Sequence, residues 1–224
     1  MMCGMSTDFC ARNACGPMEC AMARMRLEPP EPAREDVYMQ TASGVMFNLS
    51  CPRAVDVDVT TIGWHLSRLC RYTGALKDPD WFYPVSEHLV LGIQPALDAG
   101  GRRLACYWFA HDFAEAYTGD ISRPMKELIG LDRMREIEDR INAVIAQALG
   151  LEWTDEIHRA VKAIDKRMLN TERRDLLGNG QWSKHYLAMP YAFTVRPVFD
   201  IRDARLRFEA AARVLGFLDA RRGR

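Results

Sequence analysis

Apolar residues recur at helical spacing over most of the chain, and short β-like runs show at one place near its start. Residues 1–38 carry no sustained periodicity; they are Met- and Cys-rich and run into "LEPPEPARED". Proline and charge of that kind favour a flexible extension. Order begins at "VYMQTASGVMFNL", two β-like runs about a Ser-Gly turn. "VDVTTIGWHLSRLCRYTG" then reads as a helix, with Ile62, Leu66, Leu69 and Cys70 on one face and Gly74 as its stop. "YPVSEHLVLGIQPALDAGG" reads as a second helix, opening near Pro84 and kinked at Pro95. "RLACYWFAHDFAEAYTG" is a third. "GLDRMREIEDRINAVIAQALGL" is a strongly amphipathic fourth, with Met134, Ile137, Ile141, Val144, Ile145 and Leu149 in its stripe. "TDEIHRAVKAIDKRMLNTERRDLLG" makes a fifth, capped by Thr154 ahead of Asp155 and Glu156. A polar loop with "GNGQW" and two prolines follows, and "DARLRFEAAARVLGFLDARR" closes the chain as a helix. The pattern predicts a mostly α protein, with residues 39–224 as one ordered domain behind the extension.

At 224 residues such a domain has a substantial core. The formal net charge is zero, so the totals point to no polymeric nucleic acid as partner, while a local basic pocket for a small anion stays open. Seven cysteines, an odd number, and the lack of an apolar leader or a membrane-length segment predict reduced thiols, a cytoplasmic location and no membrane partner. Cys10, Cys15 and Cys20 lack the paired short spacings of a zinc site, so structural zinc is not expected there.

One stretch does not fit a plain core. "YWFAHDFAEAYTGD" places His111, Asp112, Glu115 and Asp120 among residues that should be buried. Burying such groups without partners costs several kcal/mol, so they must be paired, solvated in a pocket or bound to something. On a helix His111 and Asp112 diverge by about 100°, which suits two ligands clasping one ion, and Glu115 follows one turn on. Imidazole with carboxylates suits a first-row divalent ion better than calcium. The dipeptide alone fits a hydrogen-bonded His–carboxylate pair at least as well. His88, opening the apolar run "LVLGI", and Asp165, placed on the inward stripe Ile157, Val161, Ile164 and Met168, add to it. A lone inward Asp is more often paired with an arginine or a cap, yet His, His-Asp and Asp from three core helices supply four ligands able to converge. His65 and His158 read as structural, His185 as a candidate for lining a pocket beside Trp182 and Tyr186, and Glu172 as the partner of an arginine such as Arg173 or one from another helix.

The segments "HLSRLCRYTG", "FYPVSEH", "AHDFAEAYTGDISRPMK" and "VKAIDKRMLNTERRDLL", in that order, resemble the HD-domain phosphohydrolases. Within them the chain looks like the 5'-deoxynucleotidases and the phage deoxyadenosine triphosphate triphosphohydrolases, over roughly residues 40–178 and the last helix. The resemblance implies an HD-type helical bundle with His88, His111, Asp112 and Asp165 as metal ligands. It implies Glu115 as the catalytic acidic residue with Asp120 near it, and Arg71, Tyr72 and Lys126 against the substrate. It implies a divalent transition metal (zinc, cobalt, manganese or iron), a second magnesium on the phosphates, a small nucleotide substrate and an assembly of identical chains. The segment "TGALKDPDWFYPVSEH" is longer than the family's turn, and Pro84 replaces a small residue. Those departures touch substrate selection. "TASGVMFNL", "LCRYTG" and the short interval from Asp112 to Asp165 are closer to the triphosphohydrolases, which release a deoxynucleoside and triphosphate; the expected alternatives are action on dNMPs and nucleotide binding without turnover.

Overall fold

The computed structural model describes residues 36–184 and 187–219. Cys3, Cys10, Cys15, Cys20 and His185 lie outside the described residues. All the elements fall in the compact unit that starts at Val37.

Two strands, β1 (Tyr38–Gln40) and β2 (Met46–Asn48), pair antiparallel with Met39 opposite Phe47. Among the described residues eight α-helices follow: α1 (Val59–Leu66), α2 (Val85–Leu91), α3 (Ile93–Ala110), α4 (Glu115–Thr118), α5 (Arg123–Ile129), α6 (Leu131–Leu149), α7 (Asp155–Leu176) and α8 (Ile201–Leu215). The protein is mostly α with a small N-terminal sheet, as the periodicity predicts. α3 packs against α7 and α2, and α8 covers α2 and α1. Between them lies a core of Ile62, Leu66, Leu89, Trp108, Phe109, Phe113, Met168 and Phe208. The hairpin joins this core through Phe47, whose ring stacks on Tyr117 at 3.8 Å. α6 buries Met134, Ile141 and Ile145 and packs Ile137, Val144 and Leu149 at the edge of its stripe.

The helix caps follow from local chemistry. Asp58 accepts from the amides of Thr60 and Thr61 ahead of α1, Thr154 from Ile157 ahead of α7, and Asp200 from Arg202 ahead of α8. Gly150 and Gly216 close α6 and α8 in the left-handed conformation that glycine adopts without strain, which stops the last helix short of the expected "FLDARR".

Five local departures from the pattern shape the site. α1 ends at Leu66 and not at Gly74: the Ser67 hydroxyl bonds back to the Gly63 carbonyl, and the chain then extends. Arg71 N donates to the Tyr83 carbonyl and Val85 N to the Leu69 carbonyl, so residues 69–71 run beside residues 83–85. α2 and α3 part at Gly92, where a Cβ would stand 2.1 Å from the Trp108 ring. Pro95 thereby falls in the first turn of α3, where its missing amide is not needed and no kink results. α3 itself bends at Gly100 and Gly101, the "AGG" junction. The expected third helix breaks after Ala110 into tightened turns, with Phe113 N bonding to Ala110 O and Glu115 N to Asp112 O. Finally, α5 is an additional short helix with Pro124 in its first turn, bounded by Gly119 at φ 79° and Gly130 at φ 110°.

Candidate metal centre

His88 lies on α2 with no exposure, because α2 is covered by α3 on one side and α8 on the other. Its Nδ1 is 2.5 Å from Glu172 Oε1. His111, at the end of α3, has Nδ1 2.5 Å from the Trp108 carbonyl oxygen, which can only accept, so that nitrogen donates. In both rings the bond at Nδ1 leaves the Nε2 lone pair free. Both Nε2 atoms are buried and lack any hydrogen-bond partner. A buried polar atom left bare costs about 1–3 kcal/mol. Two of them beside one carboxylate are the mark of a ligand site. His88, His111 and Asp112 offer atoms within 4.8 Å of one another, a group with His88 buried and the other two part-buried that can hold a metal ion. Holding a ligating imidazole by its other nitrogen is how proteins fix the tautomer a metal needs.

Asp112 stands 3.3 Å from His111 Nε2 and 3.8 Å from His88 Nε2. Burial alone would raise its pKa, but His111, His88, Arg71 and Lys126 hold it below the ordinary value. Asp165 reaches 3.5 Å from His88 Nε2, yet its side chain is 40% exposed and it stands outside the tight group of three. It stands four residues after buried Val161 and three before buried Met168, and its part-exposed carboxylate lines the cavity.

A cavity of 1020 Å³ opens in front of this group, and its lining includes Arg71, Tyr72, Asp112, Glu115, Asp120, Lys126 and Asp165. A second hollow of 790 Å³ meets it along Lys126, Glu138 and Asp165 and exposes His111 from the other side. Arg71 is buried, 3.4 Å from both Asp112 Oδ2 and Glu172 Oε2. Lys126, on α5, is paired with Glu138 at 2.8 Å. Glu115 Oε2 is buried and has no hydrogen-bond partner. Burial, then the neighbouring Asp112 and Asp120 charges, push its carboxyl well above the usual range, which favours the protonated form. Asp120 is also shifted up, first by burial, with Arg71 opposing. It does not cap α5; Ser122 occupies that position.

The larger surprise is Glu172. It is wholly buried and accepts from His88 Nδ1, from the Tyr83 hydroxyl at 3.0 Å and from the Tyr72 hydroxyl, with Arg71 beside it. Burial would raise its pKa, but His88 and Arg71 with the hydrogen bonds from His88 and Tyr72 bring it down to about 2. Its arginine is Arg71, not its neighbour Arg173. The signal lay in its spacing: Glu172 sits four residues after Met168 and four before Leu176, both fully buried. It therefore occupies a core position of the stripe, on the face that Asp165 shares two turns earlier. His65 is structural as expected, donating from Nδ1 to the Ala116 carbonyl and accepting from Ala42 N. His158 is exposed and stacks on Trp153 at the second hollow.

Fold and site together define a mostly helical protein with a His-His-Asp group able to hold a metal. The chain is similar to a protein of Escherichia coli strain K12 described as the uncharacterized protein YfdR. It is 35% identical to YfdR over 139 residues, 62% of this chain and 72% of YfdR. The chain belongs to the family of YfdR. No family model matches it. No helix among the described residues is long and apolar enough to cross a membrane.

Proposed function

We propose that the protein is a metal-dependent phosphohydrolase of the HD type that acts on deoxynucleotides, releasing deoxynucleoside and triphosphate from a dNTP such as dATP. The observation that carries the proposal is the pair of partnerless imidazole Nε2 atoms beside Asp112, opening on a cavity that also holds Arg71, Lys126 and Glu115. Three nitrogen and oxygen donors of that kind, with Asp165 adjacent, suit zinc, cobalt, manganese or iron. When bound, such an ion supplies Lewis-acid polarisation of a phosphoryl oxygen and an acidified water. The remaining work falls to the chain. Arg71, pinned by two carboxylates, presents its remaining guanidinium edge to phosphate oxygens as a fixed fork. Lys126 adds a point charge once a phosphate competes with Glu138 for it. Water attacks the α-phosphorus, the bond from phosphorus to the 5' oxygen breaks, and Glu115 delivers its proton to that oxygen as the deoxynucleoside leaves. Asp120, next to Arg71 at the cavity edge, is placed to accept from a sugar hydroxyl. A space of 1020 Å³ is large enough for a nucleoside with three phosphates.

The test is to load purified protein with cobalt or manganese, incubate it with each dNTP and each dNMP, and resolve the products. Triphosphate and deoxynucleoside from at least one dNTP are expected. Inorganic phosphate from dNMPs with no triphosphate from any dNTP makes the protein a 5'-deoxynucleotidase instead. Nucleotide binding without any product makes it a binding module.

A further inference from the structure

We infer that Glu172 is a positioning residue that couples the metal-holding His88 to the phosphate-binding turn at Arg71 and Tyr72. The inference rests on the metal-dependent reading above and assigns a role in it to a residue that touches neither substrate nor metal. Glu172 projects from α7 into a space with no solvent, and its two oxygens are divided between two tasks. Oε1 takes the His88 Nδ1 proton and the Tyr83 hydroxyl. Oε2 takes the Tyr72 hydroxyl and lies 3.4 Å from Arg71 Nε. Arg71 Nε is buried and makes no hydrogen bond, and Glu172 is its ion-pair partner.

The turn that Oε2 holds is not one the backbone would choose. Tyr72 and Thr73 sit at φ 59° and 53°, a left-handed conformation that is uncommon for non-glycine residues and poor for a β-branched one. Such residues persist where the surroundings over-determine them. Here the fastening is the Tyr72 hydroxyl on Glu172, the Arg71 amide on Tyr83 O and the Ala75 amide on Tyr72 O. One rigid carboxylate therefore sets the ring orientation of a metal ligand and the pose of the arginine and tyrosine that face the cavity. Losing it should loosen metal and phosphate together. Losing only its Tyr72 contact should loosen phosphate alone.

The experiment uses the full chain and two readouts apart from turnover: Co²⁺ affinity by chelator competition with the visible Co²⁺ spectrum, and binding of inorganic tripolyphosphate at saturating Co²⁺. Glu172→Gln is expected to weaken Co²⁺ roughly 10–100-fold, the usual scale for removing an outer partner of a ligating histidine, and to change the spectrum. It should also weaken tripolyphosphate by about tenfold or more, the loss expected for a charged hydrogen-bond network. Tyr72→Phe should weaken tripolyphosphate while leaving Co²⁺ affinity and spectrum as in the native chain. Should the Gln variant not fold, Glu172→Asp keeps the charge and retracts the oxygens by one methylene, and the same paired loss is expected of it. A folded Glu172 variant with native Co²⁺ affinity and spectrum overturns the inference, and so does loss of metal with tripolyphosphate binding intact. If the native chain takes up no transition metal, it is the metal-dependent reading that fails, a result distinct from either.

Discussion

The floor of the site and its outer wall are built on opposite principles. The floor comprises Glu172, His88, Arg71 and Tyr83, all buried, and each is held by partners from a different part of the chain. The wall is the segment from Asp120 to Gly130. Its helix α5 buries no residue, leaves Met125, Leu128 and Ile129 exposed and carries Lys126 on a half-buried pair with Glu138. Interactions on the floor are strong because burial removes the competition of water, and for the same reason a missing partner there is costly. On the wall each contact is worth little, and the segment belongs to the low-stability part of the fold. Rigid placement is needed for the groups that orient a metal. A group that must let substrate in and product out is better carried by a wall that is loosely held.

The contrast can be broken or sharpened by experiment. The largest effect is expected at the floor's mouth: Asp112→Asn should leave less than a tenth of an equivalent of bound transition metal by elemental analysis. It should cut hydrolysis by on the order of a thousandfold, several kcal/mol of lost stabilisation. Full metal content with unchanged rate would remove Asp112 from the centre. If Glu115 works by its proton as proposed, Glu115→Gln should lower kcat by roughly a hundredfold or more while metal content stays as in the native chain. A parallel loss of metal would make it a ligand.

Acid unfolding separates the two regions next. Glu172 has its pKa lowered from 4.5 to about 2 on folding, so its contribution is fully present above about pH 4.5 and is lost as pH falls through 2. The contribution is on the order of 3 kcal/mol. Unfolding curves at successive pH values should therefore show the native chain losing its margin over Glu172→Gln in that window, and a constant margin would contradict the shift. Gly92→Ala drives a methyl into the Trp108 ring, which lies against both histidines, at centroid distances of 5.0 Å and 4.4 Å. It should cost about 1–3 kcal/mol in a melt and weaken the metal as well. Smallest is Lys126→Ala on the wall, which should change stability by less than about 1 kcal/mol and act through KM. A melt lowered as much as by Gly92→Ala would mean that the wall is as firmly built as the floor.

The donors of the candidate centre were legible in the chain because their residue types conflict with their surroundings. A histidine opening "LVLGI" and a His-Asp pair inside an aromatic run have no cheap resting place in a core. What the pattern misjudged were positions decided by single long-range bonds. "LSRLCRYTG" has helical spacing, but the Arg71 amide finds the Tyr83 carbonyl and the chain extends. Asp165 and Glu172 lie two turns apart on the same face of α7, so spacing does not separate them; the contacts do, Glu172 meeting His88, Tyr83 and Tyr72 in the core and Asp165 lining the cavity.

By itself the sequence determined the helical class, the order of the long helices, most caps, and the His-His-Asp group that can hold a metal, because periodicity, capping and residue type act over a few residues. The tertiary structure alone decided which nitrogen of each histidine stays bare and how Arg71 is aimed. It also decided that a glutamate two turns beyond the expected ligand holds both halves of the site. Those outcomes depend on contacts between residues such as Tyr72 and Glu172, a hundred positions apart, and on the exclusion of water around them, which only the folded chain brings about.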